Sequence, residues 1–471
     1  MSESNLDNHD LSPTPEEGRT WTWVNFMALW VGMAHCVPTW LMAGSMIAMG
    51  LTWWQVIGLM ALGNLIVLVP IVLNSHAGTK YGIPFPVLAR ASFGTRGANI
   101  PALFRGLIAV GWFGIQVHIG AGALLMLAEY LVPGLEVLNR TELLGQGLAH
   151  WLSFLVFLAL NLLVLRKGME TLKRFELWAA PLVLVFALVL CVWSVMSAGG
   201  LGPVVHASDA TPPPPWKLVT GGLMAVIGFW STLALNAPDF ARFSKSQRDQ
   251  WVGQALGLPI TMVAFSVLAV FTTSATAVHT GKVIWDPLEI VRQFPSPPVA
   301  AFSLVVILIA TVSVNVPANL VSPAYDFSNL APRSINMWRG ALITAFLATV
   351  IMPWKLMATA ATYVTGWLGT SADLLGPVAG ILIADYWLLR RRSLSVADLY
   401  REDGEYRYSA GYNLRAIAAL VLALLLSQAG RLIPAMQWLT DIGWVTGLLG
   451  GIAFYMLLAG SRQVEAVPAV P

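Results

Sequence analysis

Charge is scarce in this 471-residue chain: 11% of its residues are Asp, Glu, Lys or Arg, 57% are hydrophobic, and the mean hydropathy is +0.69. That scarcity excludes an ordinary water-soluble globule. The formal net charge of +3 offers no nucleic-acid surface either, because the basic residues lie in short segments between apolar runs. Cysteine is nearly absent. Cys36 and Cys191 sit inside apolar stretches without CxxC or Cys/His spacing, which excludes a disulfide framework and a zinc site. HExxH, the glycine-lysine P-loop and GxSxG are all missing, so metalloprotease, ATP-driven and acyl-transfer chemistry lack their groups. The reading is a non-enzyme without a cofactor. The first residues, MSESNLDNHDLSPTPEEGRT, lack the basic-then-apolar order of a signal peptide, and residues 1–21 read as a disordered cytoplasmic tail.

What is present is apolar sequence in runs of about 20 residues, the length that crosses a bilayer as a helix. Twelve such runs are found. Six precede residue 240: Val24 to Met49, Leu51 to Asn74, Ile100 to Val132, Leu148 to Leu165, Leu177 to Met196 and Leu218 to Asn236. Six follow: Val252 to Val278, Val299 to Leu330, Ala341 to Met357, Val364 to Leu389, Ala416 to Leu432 and Trp438 to Leu458. Placing the N-terminus inside puts 21 of the 27 Lys and Arg residues on the cytoplasmic side, so the positive-inside rule expects both termini to be cytoplasmic. The expected fold is an all-α integral membrane protein. Residues 22–392 form a ten-helix core, 393–462 a cytoplasmic loop with two additional spans, and 463–471 a C-terminal tail.

Two spans carry helix-breaking residues at bilayer depth. The first holds Gly32, His35, Cys36 and Pro38; the sixth holds Gly228, Trp230, Asn236 and Pro238. They are five spans apart, as expected of two inverted repeats, spans 1–5 and 6–10, with broken first helices. Ordinary proline kinks are the alternative. Trp112 and Gln116 share one face of the third span, Trp230 adds a second indole and Asn319 a second carboxamide. Two flat rings with two donor–acceptor pairs suit a small planar ligand rich in ring N–H and C=O groups. Against this, many of the 20 tryptophans are interfacial anchors. In TVSVNVPANL, Thr311 to Leu320, Asn315 reads as interhelical glue and Asn319 as a ligand contact. His35 and His118 lie at membrane depth, where either could relay a proton or stay neutral and satisfied. Asp239, Asp326 and Asp385 stand at inner span ends, where capping and loop contacts account for them.

The stretches RTWTWVNFMALWVGMAHCVP, GTKYGIPFPVLARASFGTRGANIPALFRG, GWFGIQ, FWSTLALNAPDFARF, SVNVPANLVSPAYDFSNL and LLGPVAGILIADYWLLRRRSLSVADLY together resemble the nucleobase-cation symporter-1 family, from about Arg19 to about Arg462. KGMETLKRFELWAAPLV and VSVNV look nearest to the bacterial allantoin permeases. The resemblance implies two inverted five-helix repeats plus two helices, and transport by alternating access. It implies a ligand sandwiched by Trp112 and Trp230 and bound at its polar edges by Gln116 and Asn319. It implies a cation site at Gly32, His35, Ala310, Ser313 and Val314, where Val314 departs from the pattern by lacking a hydroxyl. Cys36 also departs, standing where allantoin-type relatives carry asparagine. Phe229 replaces a small residue beside Trp230 and narrows the pocket.

The expectation is a secondary active symporter in the plasma membrane, importing allantoin, hydantoin, uracil or another nucleobase with H+ or Na+. Protons are favoured because a hard cation wants oxygen ligands and this site has lost one. A sodium-coupled nucleobase carrier, a transporter-like nutrient sensor and a passive channel are the other readings. The partners expected are the substrate, the coupling cation and the lipid bilayer, with no nucleic acid and no obligate protein.

Overall fold

A computed structural model describes residues 6–167, 169–206 and 214–460. In chain order its helices are α1 (Trp23–Ala34), α2 (Val37–Ala48), α3 (Trp53–Tyr81), α4 (Phe85–Phe93), α5 (Asn99–Leu131), α6 (Leu148–Arg166), α7 (Met169–Ser197), α8 (Leu201–His206), α9 (Trp216–Ala241) and α10 (Gln247–Thr280). They continue as α11 (Pro287–Val291), α12 (Pro297–Asn315), α13 (Ser322–Leu330), α14 (Met337–Val350), α15 (Pro353–Leu356), α16 (Gly369–Ile383), α17 (Val396–Leu399), α18 (Leu414–Ser427), α19 (Gln437–Asp441) and α20 (Gly443–Ala459). A two-stranded hairpin, β1 (Glu142–Leu143) with β2 (Gln146–Gly147), leads into α6. Among the described residues, seven helices are long and apolar enough to cross a membrane, two further spans are bent pairs, and three are shorter apolar helices. All twelve apolar stretches of the sequence fall on these elements.

The first span breaks where its sequence requires. Pro38 has no N–H to give the Ala34 carbonyl, and the amide of Cys36 takes that carbonyl at 3.0 Å instead of reaching Gly32. His35 and Cys36 leave the helical conformation, and α1 and α2 meet at 56°. The eighth span passes through a π-helical stretch, Val316–Val321, because Pro317 cannot donate to Ser313. The tenth has two such stretches, Thr362–Leu368 and Ala384–Leu389.

Four expectations are corrected. The sixth span is not broken: α9 runs continuously to Ala241 with Pro238 inside it. The Ala234 carbonyl that Pro238 cannot serve accepts Asn74 Nδ2 from α3 at 2.6 Å, so the lost bond is replaced from a neighbour. The last span is bent, with Pro434–Asp441 and α20 meeting at 91°. The ninth ends at Val350, before the left-handed Met352 and Pro353.

The fourth correction concerns residues 6–21, which are packed rather than disordered. Leu11 is fully buried beside Val87, Leu88 and Leu399. Polar bonds pin the backbone around it: Arg242 Nη1 donates to Asp10 O at 3.0 Å, Tyr400 Oη to Leu11 O at 2.7 Å, and Thr14 N to Gly82 O at 2.8 Å. Asn8 Nδ2 reaches Ser328 Oγ at 2.7 Å. This strap therefore touches the ends of α9, α13, α3 and the segment before α18. Residues 1–5 and the 463–471 tail lie outside the described residues. The two described ends share one face of the bundle, since Arg415 Nη1 donates to Ala459 O at 2.8 Å beside the segment that holds the strap.

The largest buried cluster surrounds the break in the first span and draws in Trp30, Trp112, Trp230, Val314 and Tyr363. Close helix approach builds it. A Cβ at Gly253 would stand 2.5 Å from Phe26 Cβ and from Trp23 O, so only glycine there lets α10 lie against α1.

Candidate functional site

A cavity enclosing about 340 Å³, counted to its mouth, lies where the break of the first span faces α5, α9 and the π-helical stretch of the eighth. It collects all six residues singled out for the ligand: Cys36, Trp112, Gln116, Phe229, Trp230 and Asn319. All are buried, Gln116 at 2% and Asn319 at 7% exposure, which makes this an occluded arrangement. Glycines bring the elements together. Gly111 seats the Trp367 ring, whose centroid is 6.0 Å from that of Trp112, so the tenth span lies over the site. Tyr363 Oη, from the same span, donates to Pro38 O at 3.0 Å and ties that cover to the break.

Phe229 stands edge-on to both indoles, 5.0 Å from Trp112 and 4.9 Å from Trp230 between centroids. Trp30 packs edge-on to Trp230 from behind at 5.1 Å. The polar atoms are the telling part. Trp112 Nε1, Trp230 Nε1 and Gln116 Oε1 are buried without a partner among the described residues. Each such group costs about 1–3 kcal/mol when unmade, so a ligand offering an acceptor to the indoles and a donor to Gln116 recovers that free energy. Asn319 is held by Asn315, its Nδ2 donating to Asn315 Oδ1 at 3.1 Å. Cys36 Sγ and Thr39 Oγ1 share a hydrogen bond of 3.2 Å.

The residues assigned to a cation fall into two groups. The Val314 side chain lines the ligand cavity. Ala310 lines a second, wholly apolar cavity of about 360 Å³ that shares Cys36 with the first. Ser313 Oγ donates to Ala310 O at 3.0 Å, bringing a hydroxyl and a carbonyl together on α12. Gly32 and His35 sit at the break, the His35 ring 5.2 Å from Phe265 with Nδ1 unpartnered. His118 lies elsewhere, its Nδ1 2.8 Å from His150 Nε2.

The inner-end carboxylates make more than the capping and loop contacts expected of them, Asp326 forming a buried ion pair between α5 and α13. Asp239 Oδ1 accepts the Phe85 amide at 2.8 Å, and Asp385 meets Arg390 Nε at 2.9 Å and Tyr455 Oη at 2.8 Å. Asp326 is paired with Arg105 at 2.6 Å, both within 1% of full burial. Ser322 Oγ also receives Arg105 and Asn236 Nδ2, the latter at 2.6 Å, and itself reaches Asp239 at 3.3 Å. This cluster binds α5, α9 and α13 between the cavity and the face that carries the ends.

Sequence reasoning missed Met33, Thr232, Leu233 and Ala318, which also line the cavity. Spacing held the signal: Leu233 is four residues from Phe229, and Ala318 four from Val314, so each shares a helix face with a residue already chosen. It also missed Asn161, considered below.

Residues 13–447 match a family described as permease for cytosine/purines, uracil, thiamine, allantoin. The chain is 46% identical to an allantoin permease of Bacillus subtilis, over 96% of this chain and 93% of that one. It is 39% identical to a purine-uracil permease of Arabidopsis thaliana, over 97% and 76% respectively. Among solved structures, Mhp1 in a closed conformation with bromovinylhydantoin bound matches with a TM-score of 0.79 at 28% identity, covering 96% of this chain and 95% of that one. With that fold come the two inverted five-span repeats. The chain is a multi-pass permease, not an enzyme, and belongs to the nucleobase-cation symporter-1 family.

Proposed function

We propose that the protein imports a small heterocycle bearing alternating ring N–H and C=O groups, allantoin or hydantoin before uracil or another nucleobase, in symport with protons across the cytoplasmic membrane. The observation that supports this reading is the lining of one cavity by two indoles and by the Gln116 and Asn319 carboxamides, with both indole N–H groups and the Gln116 oxygen lacking a partner among the described residues. Flat faces and a mixed donor–acceptor edge are what a ring of amide units offers in return. Each ring face on an indole is worth about 1–3 kcal/mol by analogy with base stacking. The relatives' names support the ligand class, being allantoin, purine-uracil and hydantoin permeases.

Proton coupling is favoured by the oxygen count at Gly32, His35, Ala310, Ser313 and Val314. Position 314 supplies no hydroxyl, and Val314 lines the ligand cavity. Both termini are cytoplasmic in this reading, supported by the shared face of the two ends and by the surplus of Lys and Arg there. Uptake of labelled hydantoin, allantoin and uracil into proteoliposomes tests it. Uptake should follow an imposed proton gradient and ignore sodium; strict dependence on a sodium gradient at fixed proton gradient contradicts proton coupling.

A further inference from the structure

Asn161 is a fully buried carboxamide in α6, outside the cavity. Its Nδ2 donates to Phe157 O at 2.8 Å. Asn161 Oδ1 then accepts Asn315 Nδ2 at 3.2 Å, and Asn315 Nδ2 is also within 3.4 Å of Phe113 O. Asn315 Oδ1 in turn accepts Asn319 Nδ2 at 3.1 Å. Three amides from α6, α12 and the π-helical stretch thus form one chain that ends in the ligand cavity.

Backbone carbonyls accept and never donate. Phe157 O therefore requires the NH₂ end of Asn161, which leaves the Asn161 oxygen for Asn315. Phe113 O, 3.4 Å from Asn315 Nδ2, favours the same orientation but is too distant to hold it without Asn161. Asn315 must then turn its oxygen toward Asn319, and Asn319 must answer with its NH₂. The polarity of each amide follows from the one before it, starting from the Phe157 carbonyl. Asn319 Oδ1 receives no protein donor among the described residues, so it is the end of the chain that is offered to a ligand.

We infer that Asn161 and Asn315 are positioning residues that lock Asn319 with its carbonyl oxygen toward the ligand, so that the site selects a ring N–H donor at that edge and rejects rings that carry a methyl group or a bare acceptor there. This rests on the ligand class proposed above. Gln116 Oε1, buried and unpartnered, is a second acceptor in the same cavity. Two acceptors facing a ring with two N–H groups would read both.

The test compares hydantoin and uracil with their N-methylated derivatives, by competition for labelled uptake and by ligand-induced thermal stabilisation of the purified full chain. In the wild type, methylation at the nitrogen facing Asn319 should weaken binding about tenfold or more, the worth of one neutral hydrogen bond in a site left unsatisfied. Asn161→Leu frees Asn315 and Asn319 to turn over, and should weaken binding of the parent ring about tenfold while shrinking the parent-to-methyl ratio toward one. Asn161→Asp is the rescue. A neutral aspartic acid buried there donates its O–H to Phe157 O and accepts Asn315 Nδ2, repeating the asparagine pattern, so the ratio should stay near that of the wild type.

The effect of Asn161→Leu on the ratio should vanish in an Asn319→Ala background, because the two act in series. A ratio that is unchanged by Asn161→Leu, or that shifts equally with and without Asn319, overturns the inference while the ligand class stands. Should Asn161→Leu fail to fold, Asn161→Asp decides alone: loss of discrimination in that isosteric variant overturns the inference. A wild type that binds neither parent ring overturns the ligand class and this inference with it.

Discussion

Replacing Gly228 with alanine tests whether the occluded arrangement is needed for tight binding. Gly228 lies in α9 where it meets the cover formed by the tenth span, and a Cβ there would stand 2.2 Å from Leu368 O and 3.0 Å from Ala372 Cβ. Non-bonded atoms settle near about 3.5 Å, so the cover must retreat by roughly 1 Å to admit the methyl group. The obstacle is main-chain oxygen in a packed helix and cannot swing aside as a long side chain would. Overpacking of this kind costs about 1–3 kcal/mol. Borne by the closed state, that cost lowers its population relative to an open state by roughly 5- to 150-fold.

Because apparent affinity scales with the fraction of competent protein, the Kd for whichever heterocycle the wild type takes should rise, by up to that factor. Cys36, 1% exposed at the cavity wall, gives a second readout: a thiol reagent should modify it faster in Gly228→Ala than in the wild type. Gly366→Ala is the control. It adds a methyl group to the same stretch of the tenth span where nothing lies within 4 Å, and should change neither quantity. Unaltered affinity and unaltered Cys36 labelling in Gly228→Ala would refute the reasoning, as would equal effects at 228 and 366.

Further predictions concern the inner cluster and the strap. Arg105→Met leaves Asp326 and Asp239 buried together without their cation, and should cost about 3–5 kcal/mol of stability; adding Asp326→Asn should recover part of that loss in a thermal melt. A double variant less stable than Arg105→Met would show that the two do not act as a pair. Leu11→Asp forfeits the burial of a leucine, about 2 kcal/mol, and should raise the undocked population of the N-terminal strap roughly thirtyfold. Tryptic cleavage at Arg19 should speed up accordingly, and an unchanged rate would contradict the docking seen for residues 6–21.

The bilayer made much of the fold legible. A run of about 20 apolar residues has one structural solution in lipid, so all twelve spans could be read, and Pro38 marked the break in the first. The site was legible where chemistry sat on one helix face, as with Trp112 and Gln116. What escaped the sequence depends on partners distant in the chain. Pro238 looked like a break because nothing near it reveals that Asn74, 160 positions before Ala234, would take the Ala234 carbonyl it abandons. The strap looked disordered because its composition is polar, while its order comes from the Arg242, Tyr400 and Gly82 contacts and the pocket that receives Leu11. Asn161 was passed over because a lone amide among leucines has no meaning until Asn315 is seen 3.2 Å away.

The central claim is that Trp112, Trp230, Gln116 and Asn319 together bind a small ring of amide units. Thermal stabilisation of the purified protein by hydantoin, allantoin and uracil, in the wild type and in Trp112→Ala and Asn319→Ala, tests it most directly, since a ligand that binds the folded state stabilises it by mass action. At least one of the three should raise the melting temperature of the wild type in a dose-dependent way, and both variants should abolish that rise while still inserting in the membrane. A rise that survives in both variants would place the ligand elsewhere and contradict the account.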